Sequence, residues 1–323
     1  MEAVARQYCN GQHVLVIRNG WFSFRWSDIF DKCQIPRSHT IMRARRARPG
    51  ATEQFTPPPI EEVVSAIYRE KPSVVCAPHV ETSAGMIIPD DYIIAVTEAT
   101  HANGGIFVLD CVASGCLWVD MAKLGVDALV TAPQKGWSGT PAFGIVMLGP
   151  LAVERLKHTN SSAFCVDLKK WYTIMRGYVE KGISMYHVTV PTDSIVHFAK
   201  IMKETEDYGF RRCFEEQVEL GKRIRALVES RGYKSVAGDG FKAPGVVVSY
   251  TSDAEIKSGK KFKDAGMQIA AGVPLELGEG ADYMSFRIGL FGLDKIHHAE
   301  RTVERLKAVL DSADFSGGIR SRL

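Results

Sequence analysis

Two side chains of complementary chemistry follow apolar segments that are typical of buried strands. Asp110 comes at the end of the strand predicted at Ile106–Leu109, and Lys135 follows the strand predicted at Ala128–Thr131 after a short turn. A carboxylate in that position lies at the carboxyl edge of a sheet, where α/β proteins bind ligands. An ammonium group between two apolar strands is costly to bury. Lys135 must therefore be ion-paired, have a lowered pKa, or be covalently engaged.

An amine and a carboxylate placed in this way are what a pyridoxal-phosphate enzyme requires. The lysine amine forms a Schiff base with the cofactor aldehyde and later moves a proton between substrate and cofactor. The carboxylate keeps the pyridine nitrogen protonated, so that the ring withdraws electrons from the substrate. These two residues alone do not distinguish this chemistry from a structural ion pair.

Six motifs in the same order carry a resemblance to a known family. The chain resembles the class V aminotransferases of fold type I, and within them the alanine–glyoxylate, serine–glyoxylate and serine–pyruvate branch. The resemblance runs from residue 1 to about residue 311. The motifs are Asn19–Arg25, His79–Gly85, Asp110–Ser114, Gln134–Gly136, Tyr186–Pro191 and Phe286–Leu290.

The resemblance implies a role for each matching residue. It implies that Lys135 is the Schiff-base lysine and that Asp110 is the partner of the pyridine nitrogen. The other implied cofactor contacts are Phe22 on the ring face, Thr82 near the phenolic oxygen, Gln134 at the phosphate, and Tyr186 and Thr189 at the phosphate of the neighbouring subunit's cofactor. The last two imply a homodimer with active sites at its interface, and no metal is expected.

Arg287 matches the arginine that binds the substrate carboxylate in this family. Between Phe286 and Ile288, on an apolar strand, an arginine would otherwise lack an evident partner. Its planar guanidinium can donate two parallel hydrogen bonds to a carboxylate, and it keeps its charge at neutral pH.

The N-terminus departs from the family pattern. Family members carry a Gly/Ser/Thr-rich loop before the helix that here begins with Met1-Glu2-Ala3. Such a loop would present backbone N–H groups to the cofactor phosphate. We expect either that the sequence is shortened at this end or that the phosphate has fewer contacts.

The elements that would position these residues alternate along the chain. Apolar runs predict strands, and helical periodicity predicts helices between them. The predicted strands are Val14–Ile17, Ser73–Ala77, Ile106–Leu109, Ala128–Thr131 and Gly144–Leu148, and the predicted helices are Ile60–Glu70, Asp91–Ala102 and Met121–Lys123. Buried strands that alternate with helices predict an α/β fold with a mostly parallel sheet.

The C-terminal part predicts a smaller α+β lobe. A helical stretch from Ser194 to Arg231, broken near Tyr208-Gly209, precedes a strand at Val246–Tyr250 and an amphipathic helix at His298–Asp311. We predict a large cofactor-binding domain at residues 1–209, a small domain at 210–314, and a flexible tail at 315–323.

Composition and termini bound the remaining possibilities. Of 323 residues, 46% are hydrophobic and 24% are charged, as in ordinary soluble proteins. A net charge of +3 gives no argument for nucleic acid or membrane as a partner, and the unpaired spacing of seven cysteines favours a reducing compartment. The final Ser321-Arg322-Leu323 is a close variant of the peroxisomal Ser-Lys-Leu signal, which predicts a peroxisomal and otherwise cytoplasmic protein.

The sequence as a whole predicts a pyridoxal-phosphate transaminase. It would move an amino group from alanine or serine to glyoxylate or pyruvate. One alternative is 2-aminoethylphosphonate–pyruvate aminotransferase, whose phosphonate the cluster Arg43, Arg45, Arg46 and Arg48 could bind if it is not simply a solvated loop. A second is a truncated, non-catalytic protein of the same fold. A lyase or desulfurase is less favoured, because no cysteine lies in a recognisable reactive loop.

Overall fold

The computed structural model describes residues 1–312 and residue 315. The strands are β1 (His13–Arg18), β2 (Ser38–Arg43), β3 (Arg45–Arg46), β4 (Phe55–Thr56), β5 (Val74–Pro78), β6 (Val80–Glu81), β7 (Met86–Ile87), β8 (Ile106–Asp110), β9 (Ala128–Thr131), β10 (Ile145–Leu148), β11 (Val246–Tyr250), β12 (Ala270–Ala271) and β13 (Ser285–Gly289).

The helices cover the sheets and join their strands. They are α1 (Glu2–Val4), which continues as a π-helical turn over Ala5–Cys9, then α2 (Trp21–Cys33), α3 (Ile60–Glu70), α4 (Asp90–Ala102), α5 (Met121–Leu124), α6 (Pro150–His158), α7 (Leu168–Lys181), α8 (Thr192–Tyr208), α9 (Phe210–Ser230), α10 (Ala254–Ser258), α11 (Lys260–Asp264), α12 (Leu293–His297) and α13 (Ala299–Leu310).

The main sheet has the strand order β10-β9-β8-β5-β1-β2. Strand β10 is antiparallel to β9, and the other neighbouring pairs are parallel. The inner strands β1, β5 and β8 are almost wholly buried, as expected of a parallel sheet covered on both faces. The carboxyl ends of β5, β8 and β9 consequently meet at one edge.

Apolar layers cover both faces of this sheet. Leu15 of β1 packs with Ile67 of α3 on one face, whereas Val14 packs with Trp26 of α2 on the other. Successive residues of β1 enter opposite layers because side chains alternate along a strand. The position of α2 above the sheet is thereby fixed by its own buried face.

A second, antiparallel sheet has the order β11-β13-β12 and lies entirely after residue 210. An apolar cluster joins it to the loops at the carboxyl edge of the main sheet. In this cluster Val248 and Tyr250 of β11 pack together with Met86, Ala113 and Leu117. Strand β13 is held beside the predicted site as a result.

The predicted fold class is confirmed: the structure is α/β with a mostly parallel main sheet. The strand at Ala128–Thr131 and the helix at Ile60–Glu70 have their predicted bounds. The helical stretch after Ser194 divides into α8 and α9 at Gly209, where the break was predicted. Helix α2 and the edge strand β2 were not predicted.

The proposed domain limits and tail remain predictions. Residue 209 lies between α8 and α9, so the proposed boundary coincides with a break between helices. The terminal Ser321-Arg322-Leu323 lies outside the described residues. Within residues 1–312, no helix is long and apolar enough to cross a membrane.

Candidate active site

Asp110 is the last residue of β8 and lies inside the carboxyl edge of the main sheet. Its neighbours in register are Pro78 of β5 and Val130 of β9. Its Oδ1 atom accepts a hydrogen bond of 3.0 Å from the N–H of Val112, whereas Oδ2 accepts none from the described residues. Burial raises the pKa of Asp110 to about 6, because the carboxylate loses hydration in the interior.

Lys135 lies in the turn after β9, and its side chain is half-buried. Burial lowers the pKa of its amine, and the positive charges of Arg287 and Arg25 lower that pKa further. A lower pKa leaves more of the amine unprotonated at neutral pH. The unprotonated form is the one that acts as a nucleophile.

Two glycines hold the turn of Lys135 against the loop that follows Asp110. A Cβ atom on Gly136 would lie 2.5 Å from the carbonyl oxygen of Gly115, so glycine is required at this approach. Within the turn, the N–H of Ser138 donates to the carbonyl oxygen of Lys135 over 3.0 Å. The turn that bears Lys135 therefore adjoins the loop that directly follows Asp110.

Phe22 lies in the first turn of α2, and two arginines approach its ring. The guanidinium carbons of Arg25 and Arg287 are 4.8 Å and 5.6 Å from the ring centroid. Both distances allow cation–π attraction. Residues from α2, from β13 and from the turn after β9 thus converge on one region.

Arg287 occupies the central strand of the second sheet, with Val248 and Ala270 as its neighbours in register. Its Nε atom donates to the carbonyl oxygen of Ala271 over 2.8 Å. This bond orients the guanidinium, and the two terminal nitrogens have no hydrogen-bond partner in the described part of the chain. Burial lowers the pKa of Arg287, but an arginine stays protonated at neutral pH.

Glu81 is a carboxylate to which the sequence analysis assigned no role. It is fully buried, and its two oxygens accept five hydrogen bonds of 2.6 to 3.2 Å from Phe22, Ser23 and Ser83. Its place in the motif His79–Gly85 was the available signal. Sequence alone gave no reason to connect this residue with α2.

His79 is a second residue of that motif without an assigned role. Its backbone N–H donates to the carbonyl oxygen of Asp110 over 2.9 Å, and its Nδ1 atom lies 2.8 Å from Oγ of Ser114. Burial lowers the pKa of His79 to about 4, so the imidazole is neutral at pH 7. The segment that contains Glu81 is thereby tied to the strand end of Asp110.

The remaining predicted cofactor residues have fewer contacts within the chain. Thr82 is half-buried in the turn between β6 and β7, and Gln134 is exposed beside Lys135. Tyr186 and Thr189 lie between α7 and α8, with their hydroxyl oxygens 3.4 Å apart. Tyr186 is 78% exposed, and neither residue bonds to Asp110, Lys135 or Arg287 in the described chain.

Three arginines of the Arg43–Arg48 cluster, namely Arg43, Arg45 and Arg48, are exposed to solvent, but only Arg48 lies outside a strand. Arg43 ends β2, and Arg45 and Arg46 form β3. Arg45 pairs with Glu62 over 2.6 Å, and Arg46 donates to the carbonyl oxygen of Glu279 over 2.7 Å. Two of the four cations are therefore already engaged.

No group of three or more His, Cys, Asp or Glu side chains in the described ranges could hold a metal ion.

The family model and two of the curated proteins that match this chain are aminotransferases. The family described as aminotransferase class-V matches residues 46–270. The 2-aminoethylphosphonate–pyruvate transaminase of Vibrio parahaemolyticus is 27% identical over 310 residues, which are 94% of this chain and 77% of that protein. The L-aspartate–glyoxylate aminotransferase of Paracoccus denitrificans is 28% identical over 238 residues, which are 73% of this chain and 56% of that protein.

Solved structures share the fold. The alanine–glyoxylate aminotransferase of Nostoc sp. matches with a TM-score of 0.77 at 19% identity, over 96% of this chain and 78% of that chain. The ureidoglycine–glyoxylate aminotransferase of Bacillus subtilis matches with a TM-score of 0.76 at 19% identity, over 96% and 76% of the two chains. These likenesses concern the arrangement of the backbone.

Proposed function

We propose a specific reaction for this chain, which belongs to the aminotransferase class-V family. It has the α/β fold of that family. The proposed reaction moves an amino group from a small amino acid, alanine or serine, to a small 2-oxo acid, glyoxylate or pyruvate. The proposal is supported by three placements: Asp110 ends β8, Lys135 follows the neighbouring strand β9, and Arg287 lies near enough to Lys135 for its charge to lower the pKa of the amine.

Pyridoxal phosphate is the cofactor, and the residues of the site fit it. Oδ2 of Asp110 is available to a cationic N–H group, and such a partner would offset the burial that raises its pKa to about 6. Phe22 offers a flat apolar face. When bound, the cofactor draws electrons away from the α-carbon of the amino acid and stores the amino group between half-reactions.

Lys135 would hold the cofactor covalently through Nζ and would also transfer protons. The lowered pKa of its amine favours the unprotonated form, which has a free electron pair. Once Nζ is released, it would take the proton from the α-carbon of the amino donor and give it to the cofactor carbon that carries the amino group; with the 2-oxo acid acceptor it would carry a proton in the opposite direction. The amine must reach both positions from one backbone location.

Arg287 would bind the carboxylate that amino donor and 2-oxo acid acceptor share. The bond from Nε to Ala271 leaves the two terminal nitrogens for a bidentate interaction. Because the same carboxylate is present in both half-reactions, one arginine serves donor and acceptor.

A homodimer forms part of the proposal. Tyr186 and Thr189 are exposed on a segment with many exposed apolar side chains, including Met175, Val179 and Ile183. Exposed apolar side chains grouped in this way are typical of a protein interface. In a dimer, this segment would bring Tyr186 and Thr189 to the partner's cofactor phosphate.

We also propose a peroxisomal location from the C-terminal tripeptide Ser321-Arg322-Leu323.

The second candidate is 2-aminoethylphosphonate–pyruvate transamination. It is favoured by the Vibrio parahaemolyticus relative, whose 27% identity extends over 94% of this chain. The side chain of Arg43, unlike those of Arg45 and Arg46, forms neither an ion pair nor a hydrogen bond with the described residues and could contribute to phosphonate binding.

The experiment has two stages. Purified protein is first loaded with pyridoxal phosphate and reduced with borohydride, and peptide mass spectrometry then locates the attached group; we expect it on Lys135. The loaded protein is next given alanine, serine or 2-aminoethylphosphonate with glyoxylate or pyruvate. Preference for the phosphonate would favour the second candidate, and failure to take up the cofactor would favour a non-catalytic protein.

A further inference from the structure

The start of α2 is held by residues distant in sequence. The N-cap position is Gly20, which has no side chain to accept hydrogen bonds. Instead, the N–H of Trp21 donates to Oγ of Ser83 over 3.0 Å, and the N–H groups of Phe22 and Ser23 donate to Glu81 over 3.2 Å and 2.9 Å. The first N–H groups of a helix have no partner within it, so these bonds satisfy them.

The contact between α2 and this segment leaves no room for an ordinary capping residue. A Cβ atom on Gly20 would lie 2.2 Å from Oγ of Ser83 and 2.8 Å from Cγ of Glu81. A serine or aspartate, the usual N-cap, therefore cannot replace Glu81 by capping α2 from position 20. The helix depends on Glu81 for its first turn.

Glu81 also connects α2 with the strand end that carries Asp110. It lies two residues after His79, whose N–H donates to the carbonyl oxygen of Asp110 over 2.9 Å. In addition, Glu81 pairs with Met86 in the short β6–β7 ribbon. One segment, from His79 to Glu81, thus contacts both Phe22 and the strand end of Asp110.

We propose that Glu81 is a positioning residue that sets the ring of Phe22 relative to Asp110, and that it thereby determines how tightly the cofactor ring is held. The inference rests on the proposed function, because it assumes that the cofactor ring lies on Phe22. Glu81 touches neither cofactor nor substrate in this proposal. Its effect passes through the N–H of Phe22 and the side chain of Ser23.

Glu81→Gln tests the proposal with a minimal change. Both oxygens of Glu81 accept from N–H groups, so a glutamine amide group faces an N–H donor in either orientation. We expect the dissociation constant of pyridoxal phosphate to rise by about 10- to 100-fold. The circular dichroism of the saturated cofactor should also change, because it reports ring orientation. Glu98→Gln, the same change on an exposed part of α4, should alter neither measurement.

A double-mutant cycle distinguishes positioning from general stability. Phe22→Leu removes the flat ring but keeps an apolar side chain. If Glu81 acts through Phe22, adding Glu81→Gln to Phe22→Leu should weaken cofactor binding by less than about 2-fold, although each single change weakens it more. Effects that multiply would overturn the proposal, as would an unchanged dissociation constant and spectrum in Glu81→Gln.

A milder variant covers the case in which Glu81→Gln does not fold. Ser23→Ala keeps the carboxylate and removes the hydroxyl that donates to it over 2.7 Å. We expect a smaller loss of cofactor affinity, about 3-fold, that also disappears in the Phe22→Leu background. A loss that persists there refutes the inference. If the unaltered protein takes up no cofactor, the proposed function itself fails.

Discussion

The carboxyl edge of the main sheet and the segment between α7 and α8 differ in how complete they are within one chain. At the edge, Asp110 and Glu81 are buried and hydrogen-bonded. In the segment, Tyr186 is 78% exposed, and in the adjoining end of α7 Val179 is 80% exposed. The first region is organised by its own fold, whereas the second has an apolar surface that the described residues 1–312 leave exposed. One active site would thus combine a finished half with a half supplied by the partner.

This difference has an energetic basis. At the edge, an unpaired buried polar group would cost on the order of 1 to 3 kcal/mol, so each hydrogen-bonded group there is strongly constrained. An exposed tyrosine has no such constraint until another surface covers it. Substitutions at the edge should therefore act within one subunit, and substitutions in the segment should act across subunits.

The largest expected effect comes from the attachment residue. Lys135→Ala should lower the transamination rate by about 10⁴-fold, because one amine provides both the covalent attachment and the proton transfer. Steady-state rates and the borohydride experiment measure the two roles separately. Lys123→Ala, on an exposed position of α5, is the matched control. Full activity in Lys135→Ala would contradict the assignment of the active site to the carboxyl edge of the main sheet.

The next effect concerns substrate binding at the same edge. Arg287→Gln should raise the KM for alanine and for glyoxylate by about 100-fold, because a charged bidentate contact is lost in both half-reactions. Arg37→Gln is a suitable control, since this exposed arginine precedes β2 at the opposite edge of the sheet. Unchanged KM values for both substrates would contradict the assigned role of Arg287.

Burial of Asp110 predicts a pH-dependent effect on stability. Its pKa of about 6 in the folded chain exceeds the ordinary value of 3.8. In the cofactor-free protein, the contribution of Asp110 to the free energy of unfolding should therefore be largest below about pH 4. That contribution should be lost as the pH rises through about 6. At pH 7, Asp110→Asn should raise the free energy of unfolding by up to about 3 kcal/mol.

Urea unfolding of both proteins without cofactor, from about pH 4 to pH 7, measures this difference. The two unfolding curves should approach each other at the acidic end. A gap that is the same at every pH would mean that the charge of Asp110 is not the cause.

The smallest expected effect tests the other half of the site. Tyr186→Ala should weaken cofactor binding by about 10-fold, because one phosphate contact is lost. Mixing Tyr186→Ala with Lys135→Ala should restore activity above the sum of the two, since each mixed dimer would contain one site with both native residues. Mixing Arg287→Gln with Lys135→Ala should restore none, because both residues belong to the same half. Equal results from the two mixtures would show that the sites are not shared.

The sequence predicted the main sheet well because its inner strands are short apolar runs with clear ends. Strand β2 was not predicted, because Ser38–Arg43 is a half-exposed edge strand with mixed polar and apolar residues. Helix α2 was not predicted either. Its N-cap is a glycine, and the acceptor for its first N–H groups comes from Glu81, far along the chain.

The candidate site was predictable to the extent that its residues end strands. The placement of Asp110 and Lys135 after apolar runs could be predicted from the sequence, whereas their roles were implied by the family resemblance. The contacts of Glu81 with α2 and of Arg25 with Phe22 could not be, because they join segments that only the tertiary fold brings together. A motif indicates that a residue matters, whereas its partner has to be observed.

The close approach of Gly136 to Gly115 has a mechanical consequence. The loop that bears Lys135 begins at β9 and returns as the antiparallel strand β10, so it is anchored at both ends as well as at the glycine pair. These contacts hold the backbone at Lys135 in place, whereas its four-carbon side chain can rotate about its own bonds. The amine can then move between cofactor and substrate by rotations about side-chain bonds alone. Such rotations are far faster than loop movements.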